Sequence, residues 1–161
     1  MEKIIRYGSR GTCRLDHDKA HQEMAYFTFA GLEQTGIVDH FFSTRYGGVS
    51  NDYLYSLNFS YSQGDVKAHV DENFRRAAAH MGMTSADIVC SQQTHTINVR
   101  RVTAMDKGKG VVCERDYTDV DGLITNEKGI ILATFYADCV PLFIVDPVHQ
   151  AIGLSHSGWR G

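Results

Sequence analysis

Residues 129–161 read GIILATFYADCVPLFIVDPVHQAIGLSHSGWRG, and the apolar runs in this stretch decide the fold class. GIILATF, VPLFIVD and AIGLSHS are too short for well-formed helices, which predicts short buried strands. Asp146-Pro147 supplies a turn between the last two runs. The same stretch is chemically loaded. Cys139 follows Asp138 immediately before an apolar run, and His156 stands close to Gly158, Trp159 and Arg160.

Upstream, MAYFTFAGLEQTGIVDHFFSTR (24–45) reads as two short strands around a polar turn, being rich in aromatic and β-branched residues. YGGVSNDYLYSLNFS follows, with Gly47 and Gly48 marking a loop. DVKAHVDENFRRAAAHMGM (65–83) predicts a helix over 66–81. Val66, Val70, Phe74, Ala77 and Met81 share one face for packing on a sheet, Asp65 is placed to cap the start and Gly82 ends it. DIVCSQQTHTINVRRVTA returns to strand-like patterning, with His95 alternating between Thr94 and Thr96. Several strands with one firm helix predict an α+β fold.

At 161 residues the chain suits one domain with a genuine core. A formal charge of −3 gives no support to a general nucleic-acid surface, and no apolar run is long enough to span a bilayer. The first 22 residues carry no apolar segment of signal-peptide type. Together with irregularly spaced Cys13, Cys90, Cys113 and Cys139, this predicts reduced thiols in a cytoplasmic setting.

Three residues stand out chemically: His95, Cys139 and His156. Their wide separation excludes a zinc-finger spacing and suits ligands arriving from different strands and loops. One thiolate and two neutral imidazoles would give Zn²⁺ three ligands and an open fourth position. Each has a plainer reading: Cys139 as a small buried hydrophobe, His95 as a partly exposed strand residue, His156 as a hydrogen-bonding group in a Gly-rich turn. Arg45 follows a strand and precedes Gly47-Gly48, where the backbone is able to approach a ligand closely. Arg160 lies among small residues, where an Arg fork suits phosphate. Either arginine also reads as a solvated surface charge. Asp138 reads as a residue orienting a ligand, as a general acid/base, or as a turn-stabilising carboxylate.

The ordered set FFSTRYGGVS, YSLNFSYSQGD, DENFRR, QQTH, DGLIT, ADCVPLFIVDP and HSGWRG resembles the YfiH/YlmD-type family. Its members have been called laccase-domain proteins or polyphenol oxidases, and also multifunctional purine nucleoside enzymes. The resemblance implies part of a four-layer α/β/β/α sandwich with mixed sheets, residues 24–161 forming the N-terminal portion of a single domain behind a 1–23 extension. Family members continue well past GWRG, so it also implies a chain truncated within that domain. The family's ligands fall on His95, Cys139 and His156 and imply zinc, with copper claimed for some oxidase-active members. Asn58 and Asp121 lie in family motifs, Asn58 on the substrate side. The implied reaction is phosphorolysis of adenosine, inosine or methylthioadenosine with phosphate, with adenosine deamination as a second activity. Copper-dependent phenol oxidation, a cysteine hydrolase using Cys139 and His156, and a non-catalytic module in cell-wall quality control stand as alternatives.

Overall fold

Two runs near the N-terminus pair as antiparallel strands. In the computed structural model, which describes residues 13–18 and 24–159, β1 (Cys13–Asp18) runs antiparallel to β2 (Met24–Phe29), with Cys13 opposite Phe29 and Asp18 opposite Met24. A single helical turn, α1 (Ala30–Glu33), follows, and β3 (Phe42–Ser43) pairs antiparallel with β2. These elements and α2 (Lys67–His80) belong to the first of two compact units, Met1–Gly82; the second is Met83–Gly161.

The predicted helix is present and its apolar stripe is buried at Val70, Phe74 and Ala77, whereas Val66 is exposed. The middle of α2 meets a loop. Phe74 packs on Phe59 and Tyr61, with ring centroids 5.0 and 5.9 Å apart. The C-terminal end reaches the sheet, where the His80 ring packs on Tyr26 and its Nδ1 lies 2.5 Å from the Asp18 carboxylate. Asn73, wholly buried, fastens the loop to the helix. Its Oδ1 accepts the Val49 amide (2.9 Å), and its Nδ2 donates to Ser50 Oγ (2.9 Å) and the Asn58 carbonyl (2.7 Å).

Two local expectations are corrected here. Val66, not Asp65, is the N-cap residue, and no side chain caps the first turn. Asp65 is drawn off by Ser50 Oγ (2.6 Å) and Asn58 Nδ2 (2.9 Å), donors brought in by the loop. The Gly47-Gly48 pair serves close approach, but of the chain to itself. A Cβ on Gly47 would meet Met24 Cα at 2.4 Å, and one on Gly48 would meet Leu57 Cα at 2.5 Å.

The second unit carries strands at the three runs of residues 129–161, although the VPLFIVD strand is not buried as expected: Val140, Leu142 and Ile144 are exposed. β4 (Ile88–Cys90) and β7 (Ile131–Ala133) form a parallel pair. A four-stranded mixed sheet has the order β5 (Val99–Arg101), β6 (Gly122–Thr125), β9 (Ala151–Ser157), β8 (Val140–Asp146). β5 is parallel to β6, and the other pairs are antiparallel. The β8–β9 register sets Pro141 opposite His156 and Leu142 opposite Ser155. Because successive side chains alternate faces, Val140, Leu142 and Ile144 point to the exposed side of β8. Val89, Val102, Val120, Leu123 and Ile130 form the core of this unit. Mixed sheets with few helices make the fold α+β, as expected.

Candidate metal centre

Three elements of the second unit deliver the candidate ligands. His156 lies near the end of β9, Cys139 immediately before β8, and His95 in the segment between β4 and β5. The ligand atoms of His95, Cys139 and His156 all lie within 4.8 Å of one another. The His95 and His156 rings meet edge to face, centroids 4.8 Å apart. His156 is buried, Cys139 half-buried and His95 exposed, so the group is closed at one end and open to solvent at the other.

His95 is not on a strand. It occupies a turn with φ +61°, a left-handed conformation that costs a non-glycine residue about 1–3 kcal/mol. Its place is stabilised from a distant part of the chain. The Asp121 carboxylate accepts the amides of Thr94 (3.0 Å), His95 (3.1 Å) and Thr96 (2.9 Å). The same carboxylate lies 2.7 Å from His156 Nδ1. Burial alone would push the Asp121 carboxyl up, but the Thr96 and Thr94 amides and the His156 ring outweigh it and hold the group at about 2.

A second device aligns the approach to Cys139. Gln93 Oε1 accepts the Phe135 amide (2.7 Å) while its Nε2 donates to the Phe135 carbonyl (2.5 Å). Its side-chain amide thus ties the segment after β4 to the segment after β7, as a ladder residue would. Gly158 sits against His95, where a Cβ would lie 2.9 Å from Nδ1.

Cys139 Sγ contacts Asp138 Oδ1 weakly, at 3.6 Å. Burial first, then Asp138 and Asp121, push its thiol up, opposite to the shift of an activated nucleophile. A soft thiolate beside two imidazoles, one of them with its second nitrogen on a buried carboxylate, fits Zn²⁺ or copper chemically. Cys90 is a structural thiol, pushed up to about 12 by burial.

The other residues singled out in the sequence are placed as follows. Arg45, in the first unit, donates from Nε to the Tyr55 carbonyl. Asn58, also in the first unit, donates to Asp65 and to the Ser60 carbonyl. Asp138 is exposed. Arg160 lies outside the described residues. Sequence reasoning missed the parts played by Asp121, Gln93 and Gly158. Asp121 had one legible signal: it opens the DGLIT motif, immediately before an apolar strand.

Comparison with known proteins identifies the family. The family model described as multi-copper polyphenol oxidoreductase laccase matches residues 39–161. The purine nucleoside phosphorylase YlmD of Geobacillus stearothermophilus is 38% identical over 123 residues, covering 74% of this chain and 44% of the relative. Its namesake from Bacillus subtilis is 40% identical over 124 residues, with the same coverage. The crystal structure of YlmD from Geobacillus stearothermophilus superposes with a TM-score of 0.68 at 30% identity, covering 99% of this chain and 54% of that one. The crystal structure of the Bacillus licheniformis hypothetical protein YfiH superposes at 0.70 with 28% identity, covering 93% and 51%. This chain therefore spans about half the length of its relatives. On the extent of the family match and the shared fold, the chain belongs to the multi-copper polyphenol oxidoreductase laccase family, of the YfiH/YlmD type.

Proposed function

We propose that this chain carries the metal centre of a cytoplasmic zinc enzyme that cleaves purine nucleosides with phosphate, releasing the base and ribose 1-phosphate. The observation that carries the reading is the convergence of one thiol and two imidazoles within 4.8 Å. The names of the two YlmD relatives support the reaction class. Three such ligands leave a tetrahedral ion one open position. When bound, the ion would supply a Lewis acid and a water of lowered pKa, the chemistry that adenosine deamination, the second proposed activity, requires.

The chain's own residues have separable duties in this reading. Cys139, His95 and His156 hold the ion. Asp138, exposed beside Cys139, is placed to carry a proton to or from solvent. Arg45 and Arg160 are the proposed phosphate cations, an Arg fork matching phosphate oxygens two at a time. Asn58 shapes the loop of the first unit through Asp65 and Ser60.

The family's laccase name favours one second reading, copper-dependent phenol oxidation. Both are tested on one preparation. Adenosine and phosphate are supplied to zinc-loaded protein, and adenine, ribose 1-phosphate and inosine are quantified before chelation, after it, and after zinc restoration. Product should vanish on chelation and return with zinc. Cys139→Ala should lose the metal and lower turnover by orders of magnitude. Phenol oxidation that needs copper, with no nucleoside product, would replace the proposal by the oxidase. Activity that survives chelation but not alkylation of Cys139 would replace it by a cysteine hydrolase.

A further inference from the structure

We infer that Asp121 is the positioning residue of this centre, one carboxylate setting both the ring tautomer of His156 and the backbone of His95. The inference rests on reading the three residues as metal ligands. Two of them come from distant parts of the chain, and Asp121 is the residue that touches both. Its Oδ1 takes the His156 Nδ1 contact (2.7 Å) and the His95 amide (3.1 Å). Its Oδ2 accepts the amides of Thr94 (3.0 Å) and Thr96 (2.9 Å) and the Thr96 hydroxyl (3.2 Å).

Apart from the ring nitrogen, every group aimed at this carboxylate is an N–H or O–H donor. An ionised carboxylate only accepts. His156 Nδ1 therefore carries the proton, and Nε2 keeps the lone pair that a metal ligand needs. The main chain adds a second hold on the same histidine, whose amide donates to the Asp121 carbonyl at 2.8 Å. On the other side, three consecutive amides converge on one anion, a nest-like arrangement. That convergence fixes the turn in which His95 takes φ +61°.

Asp121→Asn separates positioning from mere structural filling, because the side chain keeps its shape but accepts on one side only. With its oxygen towards Thr94 and Thr96, its NH₂ faces His156 Nδ1. That nitrogen must then accept, and the proton moves to Nε2. A residue that only stabilised the fold would leave the tautomer unchanged.

Long-range ¹H–¹⁵N NMR of the imidazoles, read on metal-free protein, measures the tautomer directly. Zn²⁺ competition against a chromophoric chelator measures affinity without any turnover. Wild-type protein should show His156 protonated at Nδ1. Asp121→Asn should show it protonated at Nε2 and bind Zn²⁺ about 10- to 100-fold more weakly. An Nε2–H tautomer in the wild type overturns the inference, and this reading stands even where the variant does not fold. Wild-type tautomer and affinity both retained in Asp121→Asn overturn it equally. Wild-type protein that binds no Zn²⁺ overturns it too, since a positioning residue needs a centre. The nucleoside proposal fails separately, when zinc binds and no product forms.

Discussion

Gly158 is the position where the centre has least room for change. Its missing Cβ would stand 2.9 Å from His95 Nδ1, closer than real Cβ contacts come. The His95 backbone has little freedom to yield, since its amide is bonded to Asp121 and it already sits at φ +61°, whereas its exposed ring is free to turn. Gly158→Ala should therefore displace the ring rather than the chain. We expect Zn²⁺ affinity to fall by about tenfold, the low end of the cost of disturbing a ligand's support. The thermal midpoint of the metal-free protein should stay close to the parent's. Isothermal titration with Zn²⁺ and a melting curve on the same sample check this. A lowered midpoint with unchanged affinity would mean that the glycine serves the fold and not His95.

At the scale of the element, α2 depends on one polar residue as much as on its apolar stripe. Asn73 is wholly buried and serves the Val49 amide, Ser50 Oγ and the Asn58 carbonyl. Asn73→Leu keeps helix propensity and bulk but leaves buried groups unpaired, at about 1–3 kcal/mol for each orphaned group. Phe74→Ala should cost about 3–5 kcal/mol through lost burial and the cavity left. Urea unfolding of both variants tests this, and a neutral Asn73→Leu would show that the loop re-forms its bonds elsewhere. What was legible follows the same division. The strands of residues 129–161 and the α2 stripe were readable because run length, turn residues and helical spacing are local signals. The turn at His95 and the diversion of Asp65 from its cap were not, because each is decided by partners distant in sequence: Asp121 in one case, Ser50 and Asn58 in the other. The three ligands were legible as residue types in motifs. The placing of the two histidines depends on Asp121, whose bonds no spacing reveals.

At the scale of the whole molecule, each unit carries a carboxylate that makes stability depend on acid. Asp65, in the first unit, is held at about 2, chiefly because Ser50 and Asn58 donate to it. Asp87, in the second, is held at about 2, chiefly by Lys107 and then by Thr84. In the unfolded chain an aspartate titrates near ~3.9. Both folded values are depressed, so the unfolded state takes up protons first. The stabilisation is complete above that unfolded value and is lost as pH falls through it towards 2. Urea midpoints should be level from about pH 7 to pH 5 and should drop between about pH 4 and pH 2. Salt distinguishes the two groups. The Asp87–Lys107 contact is an ion pair, with side chains 23% and 32% exposed, which added salt screens. Asp65 is bonded mainly to neutral donors that salt does not screen. Asp65→Asn should flatten the acid limb equally at low and high salt, whereas Asp87→Asn should flatten it mainly at low salt. Stability that rises on acidification across this window would show that neither carboxylate is held in its ionised form by the fold.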